Sequence, residues 1–499
     1  MKNIYLIIIA LLSFSISFSQ TEKEKVQETV SKGNIEGHIY FLADDLLKGR
    51  ATGTNENKIA ASYLANSFRR YGVKPNPKTG TYYQDVKLKR VSPPSKVNIE
   101  INGQKINDYA FVFPSPVNTD SDAVYLNYGL EDDYKGKDLK GKVIIIKSGS
   151  SETKDTRAAF GLRGKKQELA QANGVTAILE LLNVDENIWS FIDHNFNDAK
   201  LMPAEKEGEN DKSYNEQTAH IWVLDKDNKM IEALSESKQI SAKVSINEKK
   251  EEIVMSQNVI GVVEGTDPHL KNEYIIYSAH YDHVGIGAPD ETGDTIYNGA
   301  RDNAVGATTV LSMAENLAKY PTKRSALFIL FTGEEKGLLG SEYYVENPVL
   351  PLNQMVYCFN SDNGGYNDTS LTTIVGLERT TASEDIKNAS KTFGLTAIDD
   401  PAPEQGLFDR SDNVHFAKKG IPAPTFSLGF TAFNGEVTKY YHRPGDEADT
   451  LDYDYLVKFF SAYVLSGRNI ANNPITPFWT AGDKYETDGN KLYNRIIKK

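Results

Sequence analysis

Cysteine is almost missing from this chain: Cys358 stands alone among 499 residues. No disulfide can form within one chain, so stability has to come from core burial, with any bound metal adding to it. Cys358 sits in the apolar run Met355-Val356-Tyr357-Cys358-Phe359, which reads as a buried strand. Its thiol is therefore expected to pack rather than to act as a nucleophile or ligand. An excess of basic residues is also missing. The formal net charge is −12, which argues against nucleic acid or an anionic membrane as the main partner. Long apolar runs are missing too. Ile4–Leu12 is too short to span a bilayer, and no later stretch is long and apolar enough. Lys2, that short run and the small residues of Ser17-Phe18-Ser19 read as a secretory signal peptide over residues 1–19, cleaved before Gln20. No cysteine follows it, so a lipid anchor is not expected. The implied protein is exported, periplasmic or secreted, without a membrane span, and long enough for two or more domains.

What is present changes character along the chain. From Val30 to Tyr71, residues such as Ile35, Ile39, Leu64 and Phe68 recur at helical spacings, with a loop at Gly49 to Gly53. From Val91, strands take over at 97–101, 123–126 and 143–146. A helix over 165–173 and a strand within 174–182 follow. Together these make a small β-rich or α/β insert with polar linkers at 205–216 and 249–252. From Gln257, apolar strand runs at 259–263, 273–278, 326–331, 355–360 and 424–428 are separated by helical segments at 306–320, 337–346, 383–393 and 453–470. Such alternation implies a mostly parallel sheet covered by helices on both faces. Ligands bind such sheets at the carboxyl ends of the strands.

Metal-type residues fall at those ends. His280-Tyr281-Asp282 follows one strand, Glu334-Glu335 a second and Asp362 a third. Asp302 lies in a glycine-flanked loop before a helix, and His442 in a Tyr/Pro/Gly loop. Two histidines and several carboxylates suit a pair of borderline ions such as zinc. At a strand end, residues i and i+2 point the same way, so Asp282 can accept a hydrogen bond from the His280 imidazole. His283 points oppositely and is left outside the set. Adjacent Glu334 and Glu335 repel unless a cation compensates them; one as ligand leaves the other as general base. Asp302 can bridge two ions with its two oxygens. The set supplies five ligands with one shared, leaving each ion an open position for water.

These stretches resemble the zinc peptidase family M28 of co-catalytic aminopeptidases, which also holds carboxypeptidases and glutaminyl-cyclase-like enzymes. The resemblance implies an α/β/α sandwich around a mixed, mainly parallel sheet, with two Zn2+ per chain. One zinc would take His280, Asp302 and Asp362, the other Asp302, Glu335 and His442. Glu334 would be general base and acid, Asp282 would orient His280, and Tyr441 would steady the oxyanion. Arg410-Ser411-Asp412 resembles a substrate-side stretch, which makes Arg410 a substrate-binding candidate. Asn413 stands where that stretch usually has histidine, and Arg301 where an acid often precedes the bridging aspartate. A cis peptide is implied at Asp302-Asn303. The residues from Leu139 to Ile145 and from Ala170 to Leu179 resemble a protease-associated (PA) domain. The expected organisation is a peptidase domain over 20–105 and 246–475, a PA-like insert over 106–245 and a C-terminal tail over 476–499. The leading function is a secreted dizinc exopeptidase acting on peptide N-termini. The alternatives are a carboxypeptidase or dipeptidase of the same family, or a non-catalytic receptor-like relative. Oligomeric state and side-chain preference are not readable from the sequence.

Overall fold

The computed structural model describes residues 20–153, 156–204 and 218–495. The expected signal peptide and the 205–216 linker therefore lie outside the described residues. The chain forms two compact units: Lys87–Met255, and the described residues of Met1–Val86 together with Ser256–Lys499. The expected insert, 106–245, lies inside the first of these. That unit also takes in the strand Val97–Ile101.

In the larger unit the strands are β1 (Lys250–Val263, of which the part from Ser256 belongs here), β2 (Tyr274–His280), β3 (Ser325–Phe331), β4 (Met355–Ser361), β5 (Leu371–Val375), β6 (Thr396–Asp399) and β7 (Thr425–Leu428). They lie side by side as β6-β5-β7-β4-β2-β3-β1. β3, β2, β4 and β7 run parallel, and so do β5 and β6. β1 is antiparallel to β3, and β5 to β7. The sheet is thus mixed and mainly parallel.

Alternation along β2 explains why its sequence is apolar throughout. Ile275, Tyr277 and Ala279 enter one core, whereas Ile276 enters the other. Opposite-facing neighbours of a strand both meet protein when helices cover both faces. The first core lies under helices Glu22–Thr29, Lys32–Leu42, Asn55–Tyr71, Gly306–Lys319, Ser383–Thr392 and Tyr453–Asn472, through side chains such as Leu64, Val310 and Phe459. Helix 55–71 begins where the Thr54 side chain accepts from Asn57 N and ends at Gly72 with φ 81°, the usual cap pair. The second core lies under helices Leu339–Glu346 and Asn413–Lys418. The result is the α/β/α sandwich. Cys358 is buried in the second core, and burial pushes its thiol up to about 12.

The segment read as a C-terminal tail is instead part of that second core. Phe478, Trp479 and Tyr485 are buried there, Trp479 Nε1 donates to the Gly420 carbonyl at 2.9 Å, and Glu486–Leu492 is helical. Aromatic side chains spaced among polar ones supply the burial without a periodic signal.

The 87–255 unit has its own eight-stranded mixed sheet. Its middle strands, Val117–Tyr125, Val143–Lys147, Ala177–Leu182 and Ala219–Leu224, are parallel. A buried Glu180 there accepts from Lys166 Nζ (2.5 Å), His220 Nε2 (2.8 Å) and Trp222 Nε1 (2.8 Å), as a buried carboxylate requires.

Candidate metal centre

Three of the parallel strands deliver donors to one sheet edge. His280 is the last residue of β2 and Asp362 follows β4 directly. Glu334 and Glu335 form a short 3-10 turn after β3, entered through Gly333 at φ 74°. Asp302 lies in the turn before helix 306–319, and its bond to Asn303 is cis. His442 arrives from a loop with φ 52°.

The donors converge in two overlapping groups. His280 Nε2 lies 3.3 Å from Asp302 Oδ1 and 3.3 Å from Asp362 Oδ1. His442 Nε2 lies 3.2 Å from Asp302 Oδ2 and 3.0 Å from Glu335 Oε2. Asp302 thus offers one oxygen to each group. Glu334 borders the cavity above them with Tyr441 and Arg410. The cavity holds about 100 Å³, and its lining includes the apolar Val375, Leu407, Phe430, Phe433 and Val437. Tyr441 stacks on His442 with ring centroids 4.0 Å apart.

Two expectations need correction. The Asp282 carboxylate does not take the His280 proton: its Oδ1 is 3.9 Å from Nδ1, while the Asp282 main-chain carbonyl lies at 3.1 Å. The chain leaves extended geometry after His280, so the i, i+2 rule stops there. The carboxylate instead accepts from Thr52 Oγ1 (2.7 Å) and from the Glu334 amide (3.2 Å). His283 does not point away. It is fully buried, and its Nδ1 lies 2.7 Å from Glu335 Oε1.

Sequence reasoning also passed over the frame of the site. Arg50, in the expected loop, is fully buried and donates to the carbonyls of Tyr281 (2.7 Å), Leu42 (3.0 Å), Gly299 (2.7 Å) and Asn298. Asp446 accepts from the amides of Arg301 and Asp302 and pairs with the Arg301 guanidinium at 2.9 Å. That pair ties the Asp302 turn to the loop bearing His442. The position of Arg301 thus carries a structural charge. Asn413 holds the Phe408 and Ala423 carbonyls, at 3.1 and 3.0 Å.

The electrostatics test whether cations fit. Burial disfavours a charged His280, yet Glu334, Asp362 and Asp302 drive its ring well above the ordinary histidine range. Burial acts the same way on His442, and Asp302 and Glu335 overcome it, raising the ring to about 10. Burial pushes Glu335 up, and Asp302 adds to this, but His283 and His442 bring it down to about 2. Glu334 is driven well above the carboxylate range by burial and then by Asp362, Asp412 and Glu335. Buried Asp412, whose oxygens lack a well-formed hydrogen bond among the described residues, rises to about 7, chiefly through burial. Carboxylates this crowded demand positive charge. Two groups of mixed histidine and carboxylate donors, His280/Asp302/Asp362 and His283/Asp302/Glu335/His442, have atoms close enough to supply an ion each. The residues fit a borderline dication such as zinc.

Comparison with known proteins agrees with the fold. Aminopeptidase YwaD of Bacillus subtilis (strain 168) is 29% identical over 232 residues, 45% of this chain and 46% of the relative. The probable leucine aminopeptidase 2 of Aspergillus oryzae is 25% identical over 54% of this chain and 47% of its own length. The chain spans about half the length of the curated relatives it matches. Among solved structures, the aminopeptidase from Aneurinibacillus sp. strain AM-1 superposes with a TM-score of 0.58 at 22% identity, over 91% of this chain and 98% of that one. The profile of Peptidase family M28 matches residues 258–465, the stretch that carries every donor described above. Residues 258–465 thus carry the sequence pattern of peptidase family M28.

Proposed function

We propose that this chain is an exported aminopeptidase that holds two zinc ions and removes residues from peptide N-termini. The observation that carries the reading is the shared Asp302, with Oδ1 on the His280 side and Oδ2 on the His442 side, beneath a cavity bordered by Glu334. His280, Asp302 and Asp362 would hold one ion, and Asp302, Glu335 and His442 the other. Bound there, the ions would acidify water and polarise the scissile carbonyl. Glu334 takes the proton of the attacking water and returns it to the leaving amine. Its carboxyl, raised by burial and by neighbouring acids, suits a group that must hold a proton and release it. Burial also drives the Tyr441 hydroxyl upward, which keeps it a neutral donor for the developing oxyanion. Asp282 acts through its contacts to Thr52 and the Glu334 amide, positioning the base.

Replacing Glu334 with Gln keeps the shape and removes the base. Activity is expected to fall by at least about 100-fold, with metal content retained. An active E334Q protein would refute the mechanism.

A second reading, a carboxypeptidase or dipeptidase, draws on Arg410, a guanidinium bordering the cavity that could hold a substrate carboxylate. A panel of peptides with free and blocked termini, with and without chelator, separates the two. Loss of cleavage on N-acetylation supports the aminopeptidase. Cleavage of N-acetylated dipeptide acids supports the alternative. Every residue named in this chemistry lies outside the 87–255 unit, which is read as PA-like.

A further inference from the structure

His283 is a fully buried ionisable side chain at the centre that the proposed chemistry does not use. Its Nδ1 lies 2.7 Å from Glu335 Oε1. Neither Nδ1, Nε2 nor Glu335 Oε1 has a well-formed hydrogen bond among the described residues, so the approach is a close polar contact. The ring is wedged in place. Gly299, at φ 60°, leaves room for it, because a Cβ there would lie 2.5 Å from the ring carbon Cδ2. The His442 ring meets it edge to face, with centroids 5.4 Å apart.

Two roles are open to such a histidine: ligand, or brace for a ligand. The distances choose between them. Asp302 Oδ2, Glu335 Oε2 and His442 Nε2 converge, with His442 Nε2 3.0 to 3.2 Å from the two oxygens. His283 Nδ1 is 4.0 Å from Asp302 Oδ2 and approaches the other oxygen of Glu335, Oε1.

Resting on the dizinc reading, we infer that His283 is a positioning residue whose Nδ1 edge, in close polar contact with Glu335 Oε1, commits Oε2 to the ion shared with Asp302 and His442. The carboxylate then meets its ion through one oxygen in a fixed orientation. Groups that hold a ligating carboxylate in this way commonly affect metal affinity by about 10–100-fold.

The test uses the metal-free full-length protein titrated with Zn2+ against a chromophoric chelator, together with thermal melting of the metal-free forms. His283→Leu removes the donor. His283→Asn keeps an N–H close to the position of Nδ1. The expected result is that H283L loses about 10–100-fold in affinity for one equivalent only, that H283N restores most of it, and that the metal-free melting points of the two variants agree. Unchanged affinity of H283L for both equivalents overturns the inference, with wild-type uptake of two equivalents leaving the dizinc reading intact. So does parallel weakening of both equivalents with a collapsed melting point, which marks a general packing role. Failure of H283N to rescue, together with a changed visible spectrum of the Co2+-substituted protein, makes His283 a direct ligand and overturns it too. Wild-type protein that binds fewer than two equivalents overturns the dizinc reading and this inference with it.

Discussion

Replacing Arg50 with Met should damage the site without touching a single donor. The guanidinium is fully buried and donates to the carbonyls of Tyr281, Leu42, Asn298 and Gly299. Burial lowers its pKa to about 10, still far above neutral, with Asp302 and Asp282 the largest opposing influences. Each bond from a charged donor contributes about 1.5–3 kcal/mol, so four amount to roughly 6–12 kcal/mol gross. Removing the ion also relieves its burial cost of several kcal/mol, and breaking such an arrangement nets about 3–5 kcal/mol of destabilisation. At roughly 2 °C per kcal/mol for a large domain, the melting point should fall by about 6–10 °C. The assay is calorimetric melting of metal-free protein, which isolates the frame from the ions. Arg50→Lys is the companion: it keeps the charge but cannot reach four carbonyls, so it should recover only part of the loss. An R50M protein that melts within about 2 °C of wild type would refute the framing role and the magnitude worked out for it.

Two further outcomes are expected. Glu447 is raised to about 7, first by burial and then by Asp45 and Asp294. A carboxyl raised on folding contributes stability at pH below its ordinary value of 4.5, and that stability is lost as the pH climbs through about 7. Glu447→Gln should therefore raise the melting point relative to wild type at pH 8 and lose that advantage at pH 5; equal differences at both values would contradict the assignment. Trp479 is 2% exposed in the second core, so Trp479→Ala should cost about 3–5 kcal/mol by denaturant unfolding. A neutral W479A would return the C-terminal segment to the status of a tail.

The parts of the site that were legible in sequence share one cause. Strands buried on both faces are continuous apolar runs, and a parallel sheet gathers their ends on one edge. His280, Glu334, Glu335 and Asp362 were read from that rule, whereas the loops of Asp302 and His442 carried little signal alone and joined the set through the company of the others. Asp282 and His283 defeated it because the period-two argument holds only while the chain stays extended, and it stops at His280. Arg50 was invisible for another reason. Its partners are main-chain carbonyls, up to 249 residues away in sequence, and any residue type can present a carbonyl. Strands β5 and β6 were missed because Leu371–Val375 and Thr396–Asp399 are short and threonine-bearing, without an apolar run. The tail was misread because Phe478, Trp479 and Tyr485 bury their rings at irregular spacing.

The bonds from Arg50 also set an order of events. Residue 50 cannot meet the carbonyls of Asn298 and Gly299 until more than two hundred intervening residues have been made. The last donor, His442, comes later still. The 87–255 unit has no such wait, since its sheet is drawn from one continuous stretch. Closing long loops is entropically slow. Under the proposed function, a nascent chain will therefore carry a finished inserted unit while the donor edge is incomplete, and activity can arise only when nearly the whole chain is in hand.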